Sequence, residues 1–278
     1  METESKTLTI FQVAVTVAGL SGNAYIIALC FKVWGTTGHL SPKEKLDFSL
    51  SSVNLCLQIL LLSYNLCYFY WIGVSNVEIL SKLFLLSGLI LISSSLWIST
   101  WLSVYCNIKI LNSQHRIHQL MKRHMSKMVT WLIVGSLILA TAQNNLTHLM
   151  VSCKSNCFMY GMWIYLAVSS MAFALFFIAN VSILHSLWRH VRNMKENINS
   201  HSNKLFTAAK TFTLLLLLCV IFYQAQLQLF TNVNSNRNES YMIYLFLISV
   251  FPALNAAILI MGNQKLKQPV LDIFKCFR

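Results

Sequence analysis

Formal charge is missing from most of this chain. Of 278 residues only 10% are Asp, Glu, Lys or Arg, and none of these falls in seven long runs: Thr7–Phe31, Phe48–Val77, Leu83–Ile108, Met128–Cys153, Ser155–Trp188, Thr211–Asn236 and Ser240–Gln264. Soluble domains carry about 25% charged residues, so an ordinary soluble enzyme or binding domain is excluded. Proline is almost absent, with only Pro42, Pro252 and Pro269, and long helices can therefore run unbroken. There is no paired-carboxylate site, nucleophile elbow or phosphate loop, so no enzyme is expected and no cofactor is called for. His185, His190 and His201 have neither an acid nor a cysteine at ligand spacing, which argues against a metal centre. The first run follows Glu2 and Glu4 rather than a basic segment, so it reads as a retained span and not as a cleaved signal peptide.

What the chain has instead is apolar length. Hydrophobic residues make up 56% of it, and each run exceeds the roughly 20 residues needed to cross a bilayer as a helix. Runs so uniformly apolar do not alternate as barrel strands do. Lys and Arg number 3, 1, 5, 1, 5, 1 and 4 in the successive gaps after the first run, the alternation that marks cytoplasmic loops. All of the net charge of +13 then lies inside. The expected fold is an all-α membrane protein: a single seven-transmembrane helix bundle over 1–278, amino end outside, with helices near 7–31, 48–71, 83–110, 128–150, 160–190, 208–231 and 241–263. A short amphipathic helix over 265–276 is expected to lie on the inner leaflet. The basic residues flank spans and accompany no nucleic-acid motif, so membrane lipid is their expected partner and nucleic acid is not. Asn145 and Asn238 head glycosylation sequons on the outer side, whereas Asn180 heads one within helix five, where it should stay unmodified. Cys153 and Cys157 face the oxidising side and are a candidate disulfide.

Seven helices with an outside amino end suggest a G-protein-coupled receptor, yet the rhodopsin-like landmarks are missing. Helix three ends Val104-Tyr105-Cys106, and helix seven reads Phe251-Pro-Ala-Leu-Asn255. The run Leu96-Trp97-Ile-Ser-Thr100-Trp101-Leu102-Ser103-Val-Tyr105-Cys-Asn-Ile108-Lys109-Ile110 resembles the third helix of bitter taste (type 2 taste) receptors, patterned Trp-x-x-Thr-x-Leu-Ser-x-Phe-Tyr-x-x-Lys-Ile. Gly22-Asn23, Ser186-Leu187-Trp188-Arg189-His190, Ala209-Lys210-Thr211-Phe212 and Ile258-Leu-Ile-Met-Gly262-Asn263-Gln-Lys265-Leu266-Lys267 agree with the same family. The Leu102-Ser103-Val-Tyr105 and Gly262-Asn263-Gln-Lys265-Leu266-Lys267 segments argue against a vomeronasal type 1-like pheromone receptor. A small membrane transporter would need intramembrane charge, usually with internal repeats, and this chain has neither.

The resemblance implies a plasma-membrane, multi-pass bitter receptor that takes a small-molecule agonist and activates a gustducin- or Gi-type G-protein alpha subunit. Trp97 falls at the family's ligand-contacting tryptophan, with Trp101 one turn deeper. Phe222 and Leu245 fall at pocket-lining positions, and Asn65, Gln226, Tyr244 and Ile248 are their inward neighbours. Leu245 stands where many relatives carry a Glu, so the expected ligands are mostly neutral and amphipathic. The family's helix-two Arg is Asn54 here, and its helix-seven His-Ser pair is Asn255-Ala256. Asn23, Asn54 and Asn255 could replace that activation network by bonding one another, or each could be satisfied by nearby backbone. On the inner rim, Lys109, Arg189, His190 and Lys210 are the candidate G-protein contacts.

Overall fold

A computed structural model describes residues 2–70, 77–110, 116–151, 155–193, 201–231 and 239–276; the side chains of Asn65, Cys157, His190 and Leu245 fall outside the described set, as do Cys153 and Asn238 altogether. Among the described residues the chain is helical throughout: α1 Glu2–Thr37, α2 Pro42–Tyr70, α3 Val77–Ile110, α4 Arg116–Val151, α5 Ser155–Asn193, α6 His201–Thr231, α7 Glu239–Gly262 and α8 Gln264–Cys276. Five stretches of these are long and apolar enough to cross a membrane: Ile10–Thr37, Pro42–Tyr64, Leu86–Ile110, Trp163–Arg189 and Phe206–Gln228. The described apolar part of α7 is shorter, Phe246–Gly262.

Several helices outrun the uncharged blocks because loss of apolar character does not end a helix; a cap does. α1 continues past Lys32 to Thr37 and stops at Gly38, whose φ of 71° only a residue without Cβ adopts freely. The Gly38 N–H donates to Trp34 O at 2.8 Å, closing the last turn. α2 opens on a reciprocal cap: Ser41 N–H donates to Glu44 Oε2 at 2.9 Å, and Glu44 N–H donates to Ser41 Oγ at 3.4 Å. Pro42 at the first helical position loses no intrahelical bond there.

The helices close into a ring, α1 on α2, α2 on α3, α3 on α5, α5 on α6, α6 on α7 and α7 back on α1, with α4 outside against α2, α3 and α5. Large apolar side chains face outward, among them Trp131, Ile138, Met171, Ile178 and Trp188, while Asn23, Ser51, Asn54, Gln58, Ser95, Thr100 and Asn180 are fully buried. This polarity is the inverse of a water-soluble bundle and suits a hydrocarbon solvent.

α1 and α7 approach closely through small residues, as membrane helices commonly do. A Cβ on Gly22 would meet Ala256 Cβ at 3.3 Å, and one on Gly19 would meet Ala253 Cβ at 2.7 Å and strike the Gln58 carboxamide. α8 docks beneath: Leu266 is buried in the inner core, Tyr25 Oη donates to Leu266 O at 2.8 Å, and Lys265 Nζ lies 3.5 Å from Glu44 Oε1. Lys43 Nζ pairs with the buried Asp47 at 3.0 Å in the same region. Gly19→Ala should lower the melting temperature of the purified protein by the equivalent of about 1–3 kcal/mol of overpacking. Gly35→Ala, on the same helix with open space around it, should leave it unchanged or raise it slightly, since alanine favours the helix.

Candidate functional site: a charge-free helix core

α3 organises the interior because hydroxyls line it on several sides. Ser95 Oγ donates to Asn54 Oδ1 on α2 at 2.7 Å, and Ser93 Oγ donates to Gln143 Oε1 on α4 at 3.1 Å. Gln143 Nε2 in turn donates to Tyr165 O on α5 at 3.0 Å. Toward α5, Thr100 Oγ1 donates to Ala172 O at 3.0 Å, Asn180 Nδ2 to Ser103 Oγ at 3.0 Å, and Asn107 Nδ2 to Ala179 O at 2.7 Å. Asn180 is thus fully buried and bonded within the bundle, so its sequon is closed to modification, as expected. Asn145, in contrast, is exposed near the end of α4.

The three asparagines anticipated as one network are all buried but do not bond one another. Asn23 Nδ2 donates to Gly19 O at 2.9 Å and lies 3.3 Å from both Gln58 Oε1 and Pro252 O, joining α1 to α2 and α7. Asn54 takes Ser95, and Asn255 Oδ1 has no partner. A short amide reaches only groups directly beside it, and Asn23 spends its reach on Gly19, Gln58 and Pro252 while Asn54 spends its own on Ser95. Gln58 and Ser95 are the partners that sequence reasoning missed. Their signal was present as further polar residues within uncharged runs, but spacing does not say which helix they meet.

The anticipated ligand-contacting residues fall into two neighbouring groups. Trp97 and Trp101 stack, with ring centroids 5.9 Å apart and planes at 28°. Trp101 Nε1 donates to Ser136 Oγ on α4 at 2.9 Å, which turns it away from the centre, whereas Trp97 packs on Ala172, Phe176 and Cys219 of α5 and α6. Phe222 stacks on Phe251 of α7 at 3.9 Å, with Ile248 and Tyr244 in the same cluster. Leu215 of α6 packs against both groups. Trp97 Nε1 and both polar atoms of Gln226 are buried without a partner. Asn65 and Leu245 lie in α2 and α7, but their side chains are outside the described residues.

At the end of the bundle expected to face inward, Lys109 lies in the last turn of α3, Arg189 near the end of α5 and Lys210 near the start of α6, all three exposed. Lys109 Nζ sits 5.8 Å from the Tyr105 ring centroid, and the Arg192 guanidinium 5.9 Å from that of Trp188. The backbone of His190 belongs to α5. The expected Cys153–Cys157 pair and the Asn238 sequon lie outside the described residues. The free cysteines Cys30, Cys56, Cys106 and Cys219 occupy α1, α2, α3 and α6. Among the described residues no group of His, Cys, Asp and Glu could hold a metal.

Comparison with known proteins agrees over the full length. The family model described as "Taste receptor protein (TAS2R)" matches residues 1–278. Taste receptor type 2 member 103 of Mus musculus is 25% identical over 94% of this chain and 90% of its own. Taste receptor type 2 member 4 of Mus musculus is 26% identical over 93% of each chain. Taste receptor type 2 member 119 of Rattus norvegicus is 23% identical over 91% of this chain and 80% of its own.

Double-mutant cycles on thermal stability should give couplings of about 0.6 to 2 kcal/mol for Asn23 with Gln58 and for Asn54 with Ser95. Asn23 with Asn255 should be additive.

Proposed function

The chain belongs to the taste receptor protein (TAS2R) family, the type 2 taste receptors, and from that premise we propose that it senses small, mostly neutral amphipathic bitter compounds from outside the cell and activates a gustducin- or Gi-type heterotrimeric G protein. Family membership makes it a G-protein-coupled bitter taste receptor and a multi-pass membrane protein rather than an enzyme. The finer reading places it in the plasma membrane with seven spans, the amino end outside, and Asn145 and Asn238 as glycosylation sites.

One observation carries the ligand class. Trp97 on α3 and Gln226 on α6 hold buried polar atoms without partners, and no formal charge lies near them in the sequence. A buried group left unpaired costs about 1–3 kcal/mol. An agonist that supplies a hydrogen bond there while covering Phe222, Tyr244 and Ile248 gains both terms. A charged ligand would gain no ion pair, since Leu245 stands where relatives carry Glu. Trp97 is packed among side chains of α5 and α6, so an agonist entering beside it must replace those contacts. Its preference for one packing of α6 shifts the bundle's two-state equilibrium. Lys109, Arg189, His190 and Lys210 would then meet the carboxyl-terminal helix of the G-protein alpha subunit.

Calcium-release dose–response against a panel of bitter compounds tests the reading. Trp97→Ala should abolish the response while surface expression persists; an unchanged dose–response would overturn the pocket. Combined replacement of Lys109, Arg189 and Lys210 by Ala should weaken G-protein activation without altering the binding of a labelled agonist.

A further inference from the structure

Along α3 beyond Trp97, five helices line a small, partly open cavity. Leu50 of α2, Ser99, Leu102 and Ser103 of α3, Phe176 of α5, Leu215 and Cys219 of α6, and Phe251 and Asn255 of α7 line it. Its polar atoms come from α3 and α7. Ser99 Oγ and Asn255 Oδ1 are buried without a hydrogen-bond partner, while Ser103 Oγ already accepts from Asn180. The space open to the centre of a water molecule is about 10 Å³, close to the least that holds one water.

We propose that this cavity is a structural water site, in which a single water accepts from Ser99, donates to Asn255 and bridges α3 to α7 one turn from Pro252. The donor and acceptor types fit. A hydroxyl can donate, an amide oxygen can only accept, and a water serves both at once. Leaving both groups unpaired in an otherwise dry core is costly, whereas a buried water with two to four partners is ordinary structure. A monovalent cation would find neutral oxygens and no carboxylate. No lining residue is charged, and Asp47 and Glu44 are engaged with Lys43 and Lys265 at the helix ends. The cavity adjoins the proposed agonist pocket through Phe176, Cys219 and Phe251, but it shares none of the proposed ligand contacts.

X-ray hydroxyl-radical footprinting of the purified receptor tests this, because radicals born from an internal water modify the side chains beside it. Leu50 and Leu46 form a matched pair, both fully buried and one turn apart on α2, and only Leu50 lines the cavity. Leu50 should be modified several-fold faster than Leu46 and Leu57, and Asn255→Leu should remove the difference. Equal rates in the unaltered receptor would overturn the proposal whether or not the variant folds. Melting temperatures in sodium chloride and in choline chloride should coincide. A rise specific to sodium would assign the cavity to a cation instead.

Discussion

Everything in this bundle depends on joining helices without charge in a solvent that offers neither water nor a hydrophobic drive. Lipid tails are as apolar as leucine, so helix association needs close packing and side-chain hydrogen bonds. The chain meets that need with amides and hydroxyls, placed where each reaches one neighbour. α3 is the common partner: Ser93, Ser95, Thr100 and Ser103 each bond to α4, α2 or α5. The run Ser93-Ser94-Ser95, unremarkable as composition, thereby sets the rotation of α3 about its own axis. Small residues do the same for α1, since Gly19 and Gly22 let it come near enough to α7 for Asn23 to reach Pro252 O.

The bonds are unevenly distributed, and that bears on how the molecule can move. α3 and α5 are stitched by three directional bonds along their length. The α6 contact with α7 is carried by the Phe222–Phe251 stack and the aliphatic side chains around it. Apolar contacts tolerate sliding and rotation, whereas a buried hydrogen bond broken by the same displacement is left unsatisfied. Among the described residues, α6 is therefore held to α7 by contacts that tolerate displacement better than those of α3 with α5. Trp97 stands on α3 and packs in the cluster that includes Cys219 of α6.

Much of the architecture was legible because bilayer thickness and topogenic charge act on composition, which a sequence displays directly. Among the described residues α1 to α7 each cover most of one uncharged block, and α8 covers Leu266 and its neighbours. Boundaries were less legible: α1 ends at Thr37 before Gly38 and α2 begins at the Ser41–Glu44 cap, local backbone signals that a charge pattern does not carry. The interior was least legible. Four-residue spacing put Trp97 and Trp101 on one face, and they do stack, yet the Ser136 hydroxyl turns one of them toward α4. Periodicity gives the angle of a side chain about its helix, while its partner depends on the rotation of every other helix.

The same reasoning applies to the asparagines that the resemblance sets against the family's charged and hydroxylic positions. Asn54 is fully buried and accepts from Ser95, a neutral pairing that needs no counter-charge. The replacement of the helix-seven His-Ser pair by Asn255-Ala256 fits the same requirement, because Ala256 is what allows Gly22 to pack at close range. The outcome is a core whose specificity rests on which neutral group finds which, with Ser99 Oγ and Asn255 Oδ1 among the buried atoms left unpaired.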